Sequence, residues 1–301
     1  MCRFCLDGVS LRLVPDRASI VLKEVRIKAQ PSYGDLYYQL RLSSLFTMFM
    51  VKALVFLLPL AALATPLENR AANPKRGIAY PQEVAPPLNR IPSGSAISWE
   101  YNWGKPAPGG LPSGIQHIPM QWDERDIDNL VNQIGSARVL LGFNEPERGD
   151  QAAISPGDAA NLWKNKIMKV SSSVRLGGPA VSAGPQGQQW LRDFFSACNG
   201  GCRVDFLPIH WYGEGAQNFN QYVTDMRNMF NLPIWVTEFA PTGGDVAAFM
   251  RDTTRFLDGQ SFVERYAWFA YAPNPFRGLS SGLLDGNNNL NNLGNIYINN
   301  A

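Results

Sequence analysis

The chain has 301 residues, 45% hydrophobic and 17% charged, with 8 Trp and 22 Pro, a globular content that excludes wholesale disorder. The formal net charge is +2, yet from Gly77 onward 16 Lys and Arg stand against 20 Asp and Glu. The basic excess therefore belongs to the N-terminal part, and nothing supports binding to nucleic acid.

Taken in order, the chain first shows Lys52 followed by an apolar run, Ala53 to Leu63, that closes on the small-x-small triplet Ala62-Leu63-Ala64. A basic start, a short apolar core and small residues at the end make a secretory signal peptide, too short to span a bilayer. Met48 and Met50 stand just before it. Residues 1–47 are therefore expected to be an upstream extension outside the fold, and 48–64 the signal peptide. Residues 65–76 read as a short propeptide ending at the dibasic pair Lys75-Arg76, and 77–301 as one folded domain. The product is expected to be secreted, extracellular or in a cell wall, monomeric, and free of membrane once the signal is removed. Cys198 and Cys202, separated by Asn-Gly-Gly, can form a small disulfide in that oxidising setting, two free buried thiols being the alternative.

Eight β-like runs follow: Gly77–Tyr80, Ala96–Trp103, Gln116–Trp122, Val139–Glu145, Val174–Val181, Val204–Tyr212, Pro233–Phe239 and Arg265–Ala272. Amphipathic stretches at Ala159–Val170, Gln186–Ala197, Asn218–Phe230 and Val246–Leu257 separate the later ones, the first introduced by the capping sequence Ser155-Pro-Gly-Asp. Strand and helix alternating eight times over this length predict an α/β fold, a single (β/α)8 barrel. The first two connections carry little helix signal.

Two runs end alike. Val139-Leu-Leu-Gly-Phe-Asn-Glu145 stops against Pro146, which cannot donate to a ladder, and Pro233-Ile-Trp-Val-Thr-Glu238 stops before Pro241-Thr-Gly-Gly244. Parallel barrels keep their chemistry at strand C-termini, so Glu145 and Glu238 are expected to share one mouth. Two facing carboxylates suit glycoside hydrolysis, one as acid and the other as nucleophile or base. Asn144 can hold a sugar hydroxyl. His210 and Tyr212, two apart and so on one face, reach Glu238 if that face is inward. A hydrogen-bonded core histidine is the alternative for His210. Aromatics crowd the strand ends at Trp99, Tyr101, Trp103, Trp122, Trp211, Trp268 and Tyr271, flat surfaces that suit sugar rings. Trp268 is the best candidate platform, with core packing as its alternative. Trp235, out of phase with Glu238, is expected to face the helices. With only His117 and His210, a histidine-rich zinc site is excluded, no metal or cofactor is expected, and neither a nucleophile elbow nor a phosphate loop is found.

The segments Gly142-Phe-Asn-Glu-Pro-Glu147, Asp205-Phe-Leu-Pro-Ile-His-Trp-Tyr212, Trp235-Val-Thr-Glu-Phe-Ala240 and Ala267-Trp-Phe-Ala270 together resemble glycoside hydrolase family 128, in particular its fungal secreted and cell-wall members of the alkali-sensitive-linkage type. The resemblance covers Gly77 to Asn295. It implies endo-acting, retaining hydrolysis of β-1,3-glucan, with Glu145 as acid/base, Glu238 as nucleophile, Tyr212 orienting the nucleophile and Trp268 flooring the reacting subsite. It further implies sugar contacts from Tyr101, Asn102, Trp103, Gln121 and Trp122, beside Asn144 and His210. A wall protein that binds β-glucan without cleaving it, or the same mechanism on another β-linked glycan, are the competing readings.

Overall fold

The computed structural model describes residues 73–299, together with the backbone of five short strands between residues 3 and 27. The chain divides into two compact units, Met1–Pro66 and Leu67–Ala301. In the first, strands Arg3–Leu6, Val9–Arg12 and Val25–Ile27 form an antiparallel sheet, and Pro15–Asp16 pairs with Ser19–Ile20. The expected extension therefore carries β structure of its own, while the expected signal peptide lies outside the described residues.

The second unit holds eight parallel strands: β1 (Arg76–Ala79), β2 (Trp99–Tyr101), β3 (Gln116–His117), β4 (Val139–Leu140), β5 (Arg175–Leu176), β6 (Leu207–Gly213), β7 (Ile234–Pro241) and β8 (Val263–Trp268). Continuous ladders join six of them in the order β6-β7-β8-β1-β2-β3 and pair β4 with β5. Single parallel bridges stitch the two seams, Met120 to Leu141 on one side and Gly177 to Phe206 and Val181 to Ile209 on the other. The result is the TIM-barrel-like α/β fold expected from the alternation, with short strands at β3, β4 and β5.

Helices α1 (Leu130–Gln133), α2 (Pro156–Asn165), α3 (Pro185–Cys198), α4 (Ala216–Phe230), α5 (Val246–Gly259) and α6 (Asn292–Ile298) complete it. α2 starts as its sequence dictates: Ser155 Oγ accepts from the Asp158 amide and Pro156 takes the first turn. The first two connections have no α-helix, only a 3-10 turn at Leu88–Arg90. α3 ends in the Cys198–Cys202 disulfide.

Alternation along each strand splits the core in two. Trp99, Tyr101, Met120, Leu141, Phe206, Trp235, Ala267 and Phe269 fill the barrel interior. Leu140, Phe143, Trp163, Ile209, Trp211, Val236, Phe239, Phe249, Trp268 and Tyr297 pack between strands and helices. Gly142 permits a close approach, because a Cβ there would lie 2.8 Å from the Gly177 carbonyl and 2.9 Å from that of Gly178.

One expectation is corrected here. Trp235 faces the interior, stacked on Phe206 at 4.1 Å. The reason is an extra residue in β7: Val236 pairs with Ile209 but Glu238 with His210, so Thr237 is bulged out of register. The dibasic pair Lys75-Arg76 is held against the barrel by both side chains. Arg76 opens β1, is buried, and donates to the Tyr297 carbonyl and the Tyr266 hydroxyl. Lys75 Nζ donates to three carbonyls at the C-terminal end of α5, those of Leu257, Asp258 and Gln260. Just before the pair, the Asn73 amide donates to the Ala96 carbonyl.

Candidate active site

Glu238 lies inside β7, three residues short of its end, and the bulge turns it into the mouth. Its carboxylate is nearly buried, at 6% exposure. Tyr212 Oη donates to Oε2 at 2.6 Å, and Trp103 Nε1 donates to Oε1 at 2.7 Å. Tyr101 Oη donates chiefly to the Thr237 carbonyl at 2.9 Å and approaches Oε1 at 3.4 Å. Donors on both oxygens hold the carboxylate in one orientation. Burial, with the charge of Glu238 behind it, pushes both tyrosine hydroxyls well above their ordinary range, so they remain donors.

Glu145 stands five residues beyond β4, on a backbone with φ of 42°. That left-handed conformation costs a residue with a side chain about 1–3 kcal/mol and needs outside support. Support comes from the segment after β5: the Glu145 amide donates to the Ala180 carbonyl at 2.6 Å. Two residues on, Glu147 Oε1 accepts from both the amide and hydroxyl of Ser182, at 2.7 and 2.6 Å. The turn is thus fastened to its neighbour on both sides of Pro146.

His210 joins the two acids. Its Nδ1 lies 3.0 Å from Glu145 Oε1, and its Nε2 lies 3.4 Å from Glu238 Oε1 in an ion-pair contact too poorly aligned for a hydrogen bond. With a carboxylate at each nitrogen, the imidazolium suits both neighbours and a neutral ring suits one. Burial lowers the imidazole, but Glu238 and Glu145 together outweigh it and raise it. The converse holds for Glu145: burial raises its carboxyl, and the His210 hydrogen bond and charge, joined by the Arg148 charge, bring it below its ordinary value. Arg148 Nε sits 3.4 Å from Glu145 Oε2 while the guanidinium also grips Asp150.

One atom from each of Glu145, His210 and Glu238 lies within 4.8 Å of the others, a spacing a metal ion could occupy. The imidazole, however, already meets a carboxylate at each nitrogen, so a cation would first have to displace those contacts.

The remaining expected residues divide. Trp103 and Trp122 are half-exposed, Trp122 lying under the Arg125 guanidinium at 5.4 Å. Asn144 Nδ2 binds Gln151 and leaves its Oδ1 buried without a partner among the described residues. Gln121 is similar: Nε2 donates to the Asp123 and Arg125 carbonyls, and Oε1 is unpartnered. Tyr101 is fully buried and reaches the acid, leaving no surface for sugar. Asn102 is corrected, since its amide is spent on its own loop, accepting from Gly104 N and donating to the Pro106 carbonyl. Trp268 is also corrected. It is fully buried among Phe239, Phe249 and Tyr297 on the helix side, its Nε1 donating to the Ser281 carbonyl. Alternation along β8 gives the mouth to Phe269 instead, whose ring meets Tyr212 at 5.3 Å and Trp103 at 6.0 Å. Phe269 and Arg148 are the site residues that sequence reasoning missed; strand parity could have found the first.

A family model described as the glycosyl hydrolase catalytic core matches residues 77–297. Alkali-sensitive linkage protein 1 of Schizosaccharomyces pombe (strain 972 / ATCC 24843) is 34% identical over 219 residues, which span 67% of this chain and 40% of that protein. Among solved structures, a GH128 (subgroup III) curdlan-specific exo-β-1,3-glucanase from Blastomyces gilchristii, in complex with glucose, is 32% identical with a TM-score of 0.64, over 74% of this chain and 97% of its own. A GH128 (subgroup IV) endo-β-1,3-glucanase from Lentinula edodes is 28% identical with a TM-score of 0.68, over 75% and 100%. A GH128 (subgroup I) endo-β-1,3-glucanase from Amycolatopsis mediterranei, in complex with laminaritriose, is 31% identical with a TM-score of 0.61, over 74% and 98%. The chain belongs to the glycosyl hydrolase catalytic core family, and the three solved structures above, to which it is similar, are β-1,3-glucanases of GH128.

Proposed function

We propose that the protein hydrolyses β-1,3-glucan by a retaining double displacement, with Glu238 as nucleophile and Glu145 as acid/base. The observation that carries this reading is the pair of carboxylates brought to one mouth with oxygens within 4.8 Å of each other. Retaining enzymes hold their carboxyl groups about 5–5.5 Å apart, inverting ones about 6.5–9.5 Å.

The division of roles follows from the surroundings. Glu238, anchored by Tyr212 and Trp103, is the anion that attacks the anomeric carbon. Glu145 must deliver a proton to the glycosidic oxygen as that bond breaks. In the resting site the proton resides on His210 Nδ1, 3.0 Å from Glu145 Oε1. When a sugar covers the mouth and excludes water, a neutral imidazole and carboxylic acid are favoured over the ion pair. In the second half, Glu145 takes a proton from water, the water oxygen bonds to the anomeric carbon, and the Glu238 ester opens.

We assign endo action to a β-glucan chain, with the protein working as a secreted monomer exported by the 48–64 segment. Purified protein incubated with laminarin should release new reducing ends as a ladder of oligosaccharides, the β-anomer forming first. Glu145→Gln and Glu238→Gln should each lower the rate roughly 10²–10⁴-fold. No release of reducing ends, an undiminished Glu238→Gln protein or first-formed α-anomer would overturn the assignment; glucose alone would overturn endo action.

A further inference from the structure

Trp103 grips Glu238 from an unfavourable backbone. Its φ is 58°, a left-handed conformation that a bulky residue keeps only when its surroundings impose it. The segment 102–106 is held at four points. Two are internal, Asn102 Oδ1 accepting from Gly104 N at 3.0 Å and Asn102 Nδ2 donating to the Pro106 carbonyl at 2.9 Å. These give the segment its shape and leave its place open.

The other two fix the place. The Gly104 carbonyl accepts from Met120 N at 2.9 Å, and the Lys105 carbonyl accepts from His117 Nε2 at 3.0 Å. On its other side His117 Nδ1 meets Glu100 Oε2 at 2.8 Å. Glu100 stands on β2 between Trp99 and Tyr101, turned away from the interior those two occupy, and is fully buried. A carbonyl can only accept, so Nε2 must carry a hydrogen. One further proton sits between Nδ1 and Oε2, whichever of the two holds it. The Lys105 carbonyl therefore requires a hydrogen on Nε2, and Glu100 Oε2 faces Nδ1 on the other side.

A carboxylate buried this deeply is poor value for stability. Burial pushes the Glu100 carboxyl up and His117 only partly offsets it, and its Oε1 has no partner among the described residues. Replacing such a buried polar pair by well-packed apolar side chains is often neutral or stabilising. What the polar pair supplies instead is a directed hydrogen bond onto the residue two positions beyond Trp103.

We propose that Glu100 and His117 are positioning residues for the nucleophile, acting through the Lys105 carbonyl and Trp103 to hold the indole N–H on Glu238. This rests on Glu238 being the nucleophile. Two substitutions separate a positioning role from a packing one. His117→Gln keeps an amide N–H at the reach of Nε2, while His117→Asn can serve Glu100 but falls short of Lys105. In laminarin hydrolysis His117→Asn should lower kcat about tenfold, as one lost hydrogen bond would, with KM held within about twofold, and His117→Gln should recover most of it. Combined with Trp103→Phe, His117→Asn should add nothing further, because both act on one contact.

Independently of turnover, the indole N–H resonance of Trp103, identified as the one missing in Trp103→Phe, should move or broaden in His117→Asn and return in His117→Gln. Additive losses in the double variant, equal effects of Gln and Asn, or an unmoved resonance would overturn the proposal. Retained activity in Glu238→Gln would instead remove the nucleophile assignment on which it stands, a failure the resonance measurement distinguishes.

Discussion

The two oxygens of Glu238 are served unequally, and that makes Tyr212→Phe informative. Oε1 meets Trp103 at 2.7 Å, Tyr101 at 3.4 Å and His210 at 3.4 Å. Oε2 receives Tyr212 Oη at 2.6 Å and no other hydrogen bond among the described residues. Removing that hydroxyl leaves one oxygen of a nearly buried carboxylate bare, and lets the group turn about its remaining anchor. A hydrogen bond to a charged group is worth about 1.5–3 kcal/mol, which corresponds to roughly 10–150-fold in rate if the orientation of the anion is felt in the transition state. The phenyl ring keeps its edge contact with Phe269 at 5.3 Å, so the barrel should still fold, with a melting temperature lowered by only about 2–10 °C for the bared oxygen. Because the lost bond is to the enzyme's own nucleophile and not to sugar, the loss should fall on kcat, with KM moving no more than about threefold. Initial rates of reducing-end release from laminarin, with thermal unfolding as the control, measure both. A kcat within about threefold of the parent protein, or a loss confined to KM, would refute the reasoning.

Two further outcomes concern stability. His210 is raised above its ordinary 6.5 and Glu145 held below its ordinary 4.5. The His210 contribution is fully present below pH 6.5 and is lost as pH rises through the raised value; that of Glu145 is fully present above pH 4.5 and is lost as pH falls through the lowered value. The melting temperature should therefore plateau between pH 4.5 and 6.5 and fall on either side, and His210→Gln should flatten both shoulders; superimposable curves would contradict this. The Cys198–Cys202 bridge spans a sequence separation of 4, and a loop that short constrains the unfolded chain by roughly 2 kcal/mol. Replacing both cysteines by Ser should lower the melting temperature by about 4–8 °C and leave kcat unchanged, since the bridge lies at the end of α3 remote from the mouth; a lowered kcat would show coupling to the site.

Much of this was legible in the chain because it depends on local rules. Alternation of apolar runs with capped amphipathic stretches is enough to announce a parallel barrel, and Ser155 caps α2 as its spacing requires. The pairing of His210 with Tyr212 on one inward face needs only the period of a strand. What was illegible depends on contacts between distant segments. Lys75-Arg76 reads as a processing site in isolation, and only the fold brings Tyr266, Tyr297 and the carbonyls at the C-terminal end of α5 around it. Asn102 offers an amide to any ligand until Gly104 and Pro106 take both ends.

Strand periodicity alone sends Trp235 to the helix side, and the structure departs from it for a reason that bears on function. In an unbroken strand, Trp235 and Glu238 must point to opposite faces. Either the tryptophan stacks on Phe206 and the acid faces the helices, or the acid reaches the mouth and the tryptophan leaves the interior. The extra residue at Thr237 removes that choice: Trp235 fills the barrel below while Glu238 stands above it among its donors. Irregular pairing beside a reactive group is where bulges recur, because they re-aim one side chain without moving the rest of the sheet. Phe269 shows the regular case on the next strand, where simple alternation brings an aromatic ring to the mouth and sends Trp268 to the helices. The carboxylate pair thus owes its meeting to one inserted residue as much as to the two glutamates themselves.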